Sequence, residues 1–429
     1  MAASRVILAL LVVLITEGMP LSFGSGPFPA ATQAMIIPMA DIKPAMPRHG
    51  TASVQPASTW EFAFVSGNGR MGAMVYGNPA DETVVGNHCR LFLPLGSREV
   101  VPDLARYVPE LRQIIRDKGY KEAMTFFLGE AKEQGFPGLI WTDPFHPGFE
   151  LKIKTPVAGE LRDYVRSEDF QTGEVSVQWM GAQGRYRRRL FVSRPDNVIV
   201  LSIAGPAAGS VTCELSMPAI QQELIDSTMA MDAKGIGVHN IYVKGKGGYD
   251  VYVRVAPRGG SVGSEGRRIQ IEKADEVVAL MRIVPFQQGE VLSPDKIRAD
   301  LEKLPADYDK LFAPHAKAHA GLFDRVRLDL GGGEDRYRTG EELLDKAARE
   351  GRPSPALLER MYDAGRYMFI CASGELPPNL QGIWSGTWKP AWSGDFTTDT
   401  NLQLAIESGF SANLPTRRRV QTASRQPWT

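Results

Sequence analysis

The stretch from Glu375 to Gln403, ELPPNLQGIWSGTWKPAWSGDFTTDTNLQ, concentrates the side chains that grip a sugar. Indole faces stack on the C–H surface of a pyranose, while amides and carboxylates hold its hydroxyls. Trp384, Trp388 and Trp392 place three indoles within nine residues, and Asn379 and Gln381 place amides beside them. These five are the candidate substrate-binding residues. For any one of the tryptophans the competing role is core packing, because large aromatic side chains are mostly buried.

Two other patterns suggest chemistry and fail on context. Gly67, Gly69 and Gly72 spell G-x-G-x-x-G after the strand-like run Trp60–Val65, which is the outline of a dinucleotide fingerprint. That fingerprint needs a helix opening at the glycines to hold a pyrophosphate. Here Met71, Ala73 and Val75 alternate with strand period, and Gly77 and Pro79 break any helix within two turns. His315 and His319 stand four residues apart, the spacing of two ligands on one helix face. No Glu lies between them and no third ligand is evident, so packing is the favoured role. No metal and no cofactor is expected.

The elements that must position the candidate loop change character along the chain. From Thr59 to Phe286 short strand-like runs recur, among them Arg187–Ser193 (RRRLFVS), Asn197–Ile203 (NVIVLSI) and Val277–Val284 (VVALMRIV). Turns such as Gly181–Gly184 and Gly259–Gly260 separate them, as in a large antiparallel sandwich. Between Val108 and Gln134 the apolar residues fall at helical spacing, which predicts a helix pair inserted between strands. After Phe286 the period becomes helical. Ser293-Pro294-Asp295 opens a helix, and Tyr308, Leu311, Phe312, His315, His319, Leu322 and Phe323 form one stripe.

Composition narrows the partner. Lys plus Arg and Asp plus Glu balance at 49 each, so no net field selects nucleic acid, an anionic membrane or an acidic substrate. A neutral partner is expected. Arg5 followed by the apolar run Val6–Ile15 reads as an export signal over residues 1–25, which places the mature chain in the periplasm or outside the cell and free of the membrane. The Pro-, Ala- and Met-rich residues 26–58 read as a linker. Cys89, Cys213 and Cys371 are odd in number, far apart and set among apolar neighbours, as buried thiols are.

The candidate loop resembles the motif L-P-x-N-L-Q-G-I-W, with its following Trp and N-x-N element, of glycoside hydrolase family 95. That family comprises inverting α-L-fucosidases with some α-L-galactosidases. Ser66–Gly77 (SGNGRMGAMVYG) is similar to the family's N-terminal signature, Tyr186–Val200 (YRRRLFVSRPDNVIV) to a strand pair, and Leu322–Leu330 (LFDRVRLDL) to its linker. Together they span about residues 60–414. The resemblance implies a multidomain fold, β then α. A large antiparallel β-sandwich (a super-sandwich) would fill 59–288, a helical linker 289–335, and the first part of an (α/α)6 barrel 336–414. The implied partner is a fucosylated glycan.

The same resemblance assigns catalytic roles. In the family an Asn pair, helped by a later Asp, positions and activates water, and a later Glu is the general acid, the division that inversion requires. The pair aligns with Asp399 and Asn401, so a carboxylate stands where the family has its first Asn. Such a carboxylate can serve as the base itself. The following family residues T-E-M-N-Y-W are replaced by LQLAIE at 402–407. Residues 416–429 carry four arginines without apolar periodicity and read as a divergent tail, as from a shifted frame, in place of a barrel helix. The family's acid is therefore not expected within this sequence, and the alternative function is a non-catalytic carbohydrate-binding or vestigial protein.

Overall fold

A computed structural model describes residues 35–96, 100–138, 141–157, 159–290 and 293–414. The export signal and the divergent tail lie outside the described residues. Within them a ten-stranded sheet and a seven-stranded sheet share one hydrophobic core. Strands of the seven-stranded sheet alternate, with Phe149, Leu151 and Ile153 of Phe149–Lys154 and Cys213 and Leu215 of Val211–Ser216 facing inward. This is the period-two pattern of a sheet buried on one face.

The middle of the ten-stranded sheet is buried on both faces, which explains the unbroken apolar run Val277–Met281. Val277, Ala279, Met281 and Ile283 enter the sandwich core, whereas Val278 and Leu280 face a second cluster. That second cluster is completed by helices on the outer face. Helices α1 (Val108–Lys118) and α2 (Tyr120–Glu133) form the inserted pair. α3 (Pro294–Glu302) and α4 (Tyr308–Phe323) then cover the sheet with Ile297, Leu301, Tyr308 and Leu311. α5 (Gly340–Glu350), α6 (Pro355–Ala372) and α7 (Asn401–Ser411) follow.

Local sequence fixes the starts of these helices. Thr339 and Glu342 form a reciprocal capping box on α5, and the Ser354 hydroxyl accepts from the Leu357 amide ahead of Pro355 on α6. Two segments differ from the sequence reading. Trp60–Phe62 is a single 3₁₀ turn, and the strand starts only at Phe64, because Trp60 packs against the backbone at Gly386. Part of the stretch read as a linker joins the ten-stranded sheet. Ile36–Pro38 runs parallel to Leu161–Asp169, and Gly50–Ser53 pairs with it antiparallel.

The glycine motif is a hairpin between Phe64–Gly67 and Met71–Val75. The Asn68 side chain closes its turn, accepting from the amides of Arg70 and Met71. Its glycines give close approach. A Cβ on Gly67 would lie 2.7 Å from the Cys371 carbonyl oxygen, one on Gly69 2.3 Å from that of Ser373, and one on Gly72 2.7 Å from the Trp384 ring. Gly69 also needs its φ of 87°, a region open to glycine. The motif is the seat on which the end of α6 and the candidate loop rest.

Candidate functional site

The last carbonyls of a helix lack partners within it. At the end of α6 the sandwich domain provides them: Gly69 N–H donates to Cys371 O at 2.7 Å, and the Arg194 guanidinium to Ile370 O at 2.7 Å. The Tyr367 hydroxyl donates to Val65 O at 2.6 Å from the side of the same helix. A cation at a helix C-terminus also answers the dipole. Arg194 is held there by the histidine pair, its amide donating to His315 Nδ1 at 3.2 Å and its Nε–H to His319 Nδ1 at 3.3 Å. Burial, then the charge of Arg194, pulls His315 down to about 3 and holds His319 well below the ordinary histidine value. Both rings are therefore neutral acceptors. No group of three or more His, Cys, Asp or Glu that could hold a metal ion occurs among the described residues.

From this anchored end the chain enters the loop. Asn379 N–H donates to Gly382 O and Gly382 N–H to Asn379 O, at 3.1 and 2.8 Å, with Gly382 at a φ of 70°. Asn379 Oδ1 accepts from Gln381 N–H at 2.7 Å. Asn379 is buried and shapes this turn, while Gln381 is half-buried against Gly394. Trp384 is only 5 % exposed, and its Nε1–H donates to Ser66 O at 2.9 Å. Its ring is thus enclosed and its one donor is occupied. Trp388 is half-buried and stacks on His146 at 4.6 Å and 11°. His146 is itself buried, pulled down to about 4 by desolvation, and its Nε2 pairs with the Tyr242 hydroxyl at 3.0 Å.

Trp392 is different. It is 70 % exposed, and both it and Ser393 adopt left-handed backbone (φ 53° and 55°). Strain of this kind costs about 1–3 kcal/mol per residue and persists where neighbours over-determine it. The neighbours come from the segment after α2. Phe145 N–H donates to Ser393 O at 2.8 Å, the Thr142 hydroxyl to Asp395 Oδ2 at 3.3 Å, and Phe145 packs against Gly394. The Asn87 side chain also donates to Ser385 O at 2.9 Å. These supports were not read from the sequence. The one available signal was a polar Asn within the buried strand Asp81–His88.

Asp399 and Asn401 are exposed at the loop's end, two positions apart across Thr400, with Asn401 the first residue of α7. The structure thus leaves Trp392, Asp399 and Asn401 open to solvent. Trp384, Trp388 and Asn379 secure the loop beneath them.

A sandwich core clamping an aromatic and carboxamide loop at the head of a helical region is the build of a two-part glycosyl hydrolase. Residues 52–284 match the family described as glycosyl hydrolase family 65, N-terminal domain, over more than half of the chain, and residues 307–416 match the glycosyl hydrolase family 95 catalytic domain. The chain belongs to the glycosyl hydrolases with a family 65 N-terminal domain, and its helical part is similar to the family 95 catalytic domain. It is similar to alpha-L-fucosidase 2 of Arabidopsis thaliana, 25% identical over 396 residues, 84% of this chain and 46% of the relative. Probable alpha-fucosidase A of Aspergillus oryzae is 27% identical over 383 residues, 82% and 51% of the two chains. The chain spans about half the length of the curated relatives it matches. A putative kojibiose phosphorylase from human microbiome is a solved structure matched at 9% identity and a TM-score of 0.41, over 81% of this chain and 46% of that one.

Proposed function

We propose that the protein is an inverting exo-glycosidase acting on terminal α-L-fucosyl, or related α-L-galactosyl, residues of oligosaccharides or polysaccharides. The observation that carries this reading is the family 95 catalytic-domain match over 307–416, which contains the whole loop and α7. In this reading α5, α6 and α7 are the first helices of an (α/α)6 barrel. Asp399 and Asn401 hold the attacking water, with the carboxylate taking its proton. Inversion also requires a carboxylic acid about 6.5–9.5 Å away on the other face of the ring, a role that the family gives to a Glu later in its barrel and for which no residue is assigned here. Trp392 offers its open indole to the sugar, and Gln381 a polar contact at the loop's inner edge. Residues 1–25 direct export, so the working site is the periplasm or the exterior.

The test is release of L-fucose from a fucosylated oligosaccharide, with the first-formed anomer read by proton NMR. Inverted fucose that disappears in Asp399→Asn and Asn401→Ala is expected. Saturable glycan binding without release would replace the reading by a carbohydrate-binding one, and release unaffected by both substitutions would overturn the assignment of the pair.

A further inference from the structure

A cleft opens at one end of the sandwich, away from the residues of the loop. It has a volume of about 180 Å³ and lies between the hairpin of Glu174–Gly181 with Gly184–Val192 and the start of Val211–Ser216 in the other sheet. At about 30 Å³ per liquid water this is room for about six waters, the bulk of one sugar ring. Two aromatic rings form its wall, Trp179 and Tyr186, stacked at 5.7 Å with only 8° between their planes. Val157 and Leu161 add aliphatic surface, and Thr155, Gln183, Ser210 and Thr212 add polar groups.

Two features separate this cleft from a packing gap. Gaps in a core are apolar and stay dry, whereas here polar side chains converge on the wall with capacity left over. Thr155 Oγ1 accepts from the Arg188 guanidinium at 2.7 Å and Thr212 Oγ1 from Lys273 N–H at 3.1 Å, so each hydroxyl proton remains to be donated. Gln183 Oε1 accepts from the Tyr186 hydroxyl at 3.1 Å, which fixes the ring and leaves the amide nitrogen as a donor. The second feature is charge. Among the described residues no Asp, Glu, Lys, Arg or His lines the cleft, and Arg188 behind it directs its guanidinium to the carbonyls of Asn78 and Pro79 at 2.7 and 2.6 Å. A flat aromatic wall, hydroxyl and amide donors and no charge match a neutral polyhydroxylated ring and discriminate against a phosphate or a carboxylate.

We propose that this cleft is a second sugar site, taking one neutral pyranose ring against Tyr186 with its hydroxyls toward Thr155, Gln183 and Thr212. The site lies wholly in the sandwich and does not depend on the glycosidase reading. Calorimetric titration of the whole chain with L-fucose and with a fucosylated oligosaccharide tests it, using Gln183→Ala, Ala182→Trp, Trp392→Ala and Asn401→Ala. Ala182 is exposed at the rim, so Ala182→Trp blocks the mouth without disturbing the core.

The expected result is a saturable binding event that persists when Trp392→Ala and Asn401→Ala together disable the loop, and that Gln183→Ala and Ala182→Trp weaken about tenfold or more in that background. Tighter binding of the oligosaccharide than of fucose identifies the occupant as a glycan terminus, and equal binding a free sugar. Absence of a binding event independent of the loop, or binding that follows Trp392 and ignores Ala182 and Gln183, overturns the site while leaving the catalytic reading intact.

Discussion

Glu168 carries a sharp pH signature. It lies fully enclosed beneath the glycine hairpin, accepts from the Val65 amide at 2.7 Å, and is pushed up to about 8 by burial, against the lowering effects of that hydrogen bond and of Arg166. A carboxyl group whose folded pKa exceeds its unfolded value of 4.5 binds its proton in the native state and releases it on unfolding. Its contribution is therefore present at low pH and is lost as pH rises from 4.5 towards 8, at about 1.4 kcal/mol per pH unit. Buried His88, His146, His315 and His319 act with the opposite sign below the ordinary histidine value of 6.5, since their folded values are lowered. The clean window is above that point, where about 1.5 units correspond to about 2 kcal/mol. Glu168→Gln keeps the acceptor for Val65 and removes the titration. Denaturant unfolding followed at intervals from pH 6.5 to 8 is expected to show wild type losing about 2 kcal/mol relative to the variant. Parallel curves would mean that Glu168 is already ionised in the native state and that the desolvation argument is wrong.

Three further outcomes follow from the packing. Gly69→Ala forces a Cβ to 2.3 Å from the Ser373 carbonyl at a φ of 87°, and a loss of about 2 kcal/mol or more is expected in thermal unfolding; a change below about 0.5 would contradict the seat. Trp384→Ala opens a cavity and is expected to cost about 3–5 kcal/mol, whereas Trp392→Ala changes stability by less than about 0.5 kcal/mol, a contrast that equal effects would refute. Leu358, Met361 and Met368 of α6 and Leu404 of α7 are exposed, so concentration-dependent association is expected in light scattering and should diminish in Met361→Glu/Met368→Glu; a monodisperse wild type would refute it.

The sandwich was legible because its strands obey the period of two, and the inserted helix pair because seven apolar residues between Leu111 and Ala131 obey the helical one. The three thiols were read as buried and unpaired, as they are. Trp60–Val65 misled because a local apolar run does not reveal a distant partner such as Gly386. The same blindness applies to the loop. Composition singled out Trp384, Trp388 and Trp392 alike, but their roles diverge through Ser66, His146 and Phe145, each more than 200 residues earlier. The histidine pair was read as a packing feature of one helix face. Its actual partner, Arg194, belongs to a strand end that spacing along one helix does not show.

The bond from Trp384 to Ser66 closes a loop of 318 residues. Contacts of such separation form late, because the entropy of closing the intervening chain is met before they return anything. The loop docks only where the hairpin that receives Trp384 is already in place, so the strained turn at Trp392 is expected to set after that surface has formed. A destabilised sandwich would then lose the shape of this loop before it lost its own strands, and refolding measured at Trp384 would lag refolding measured in the sheets.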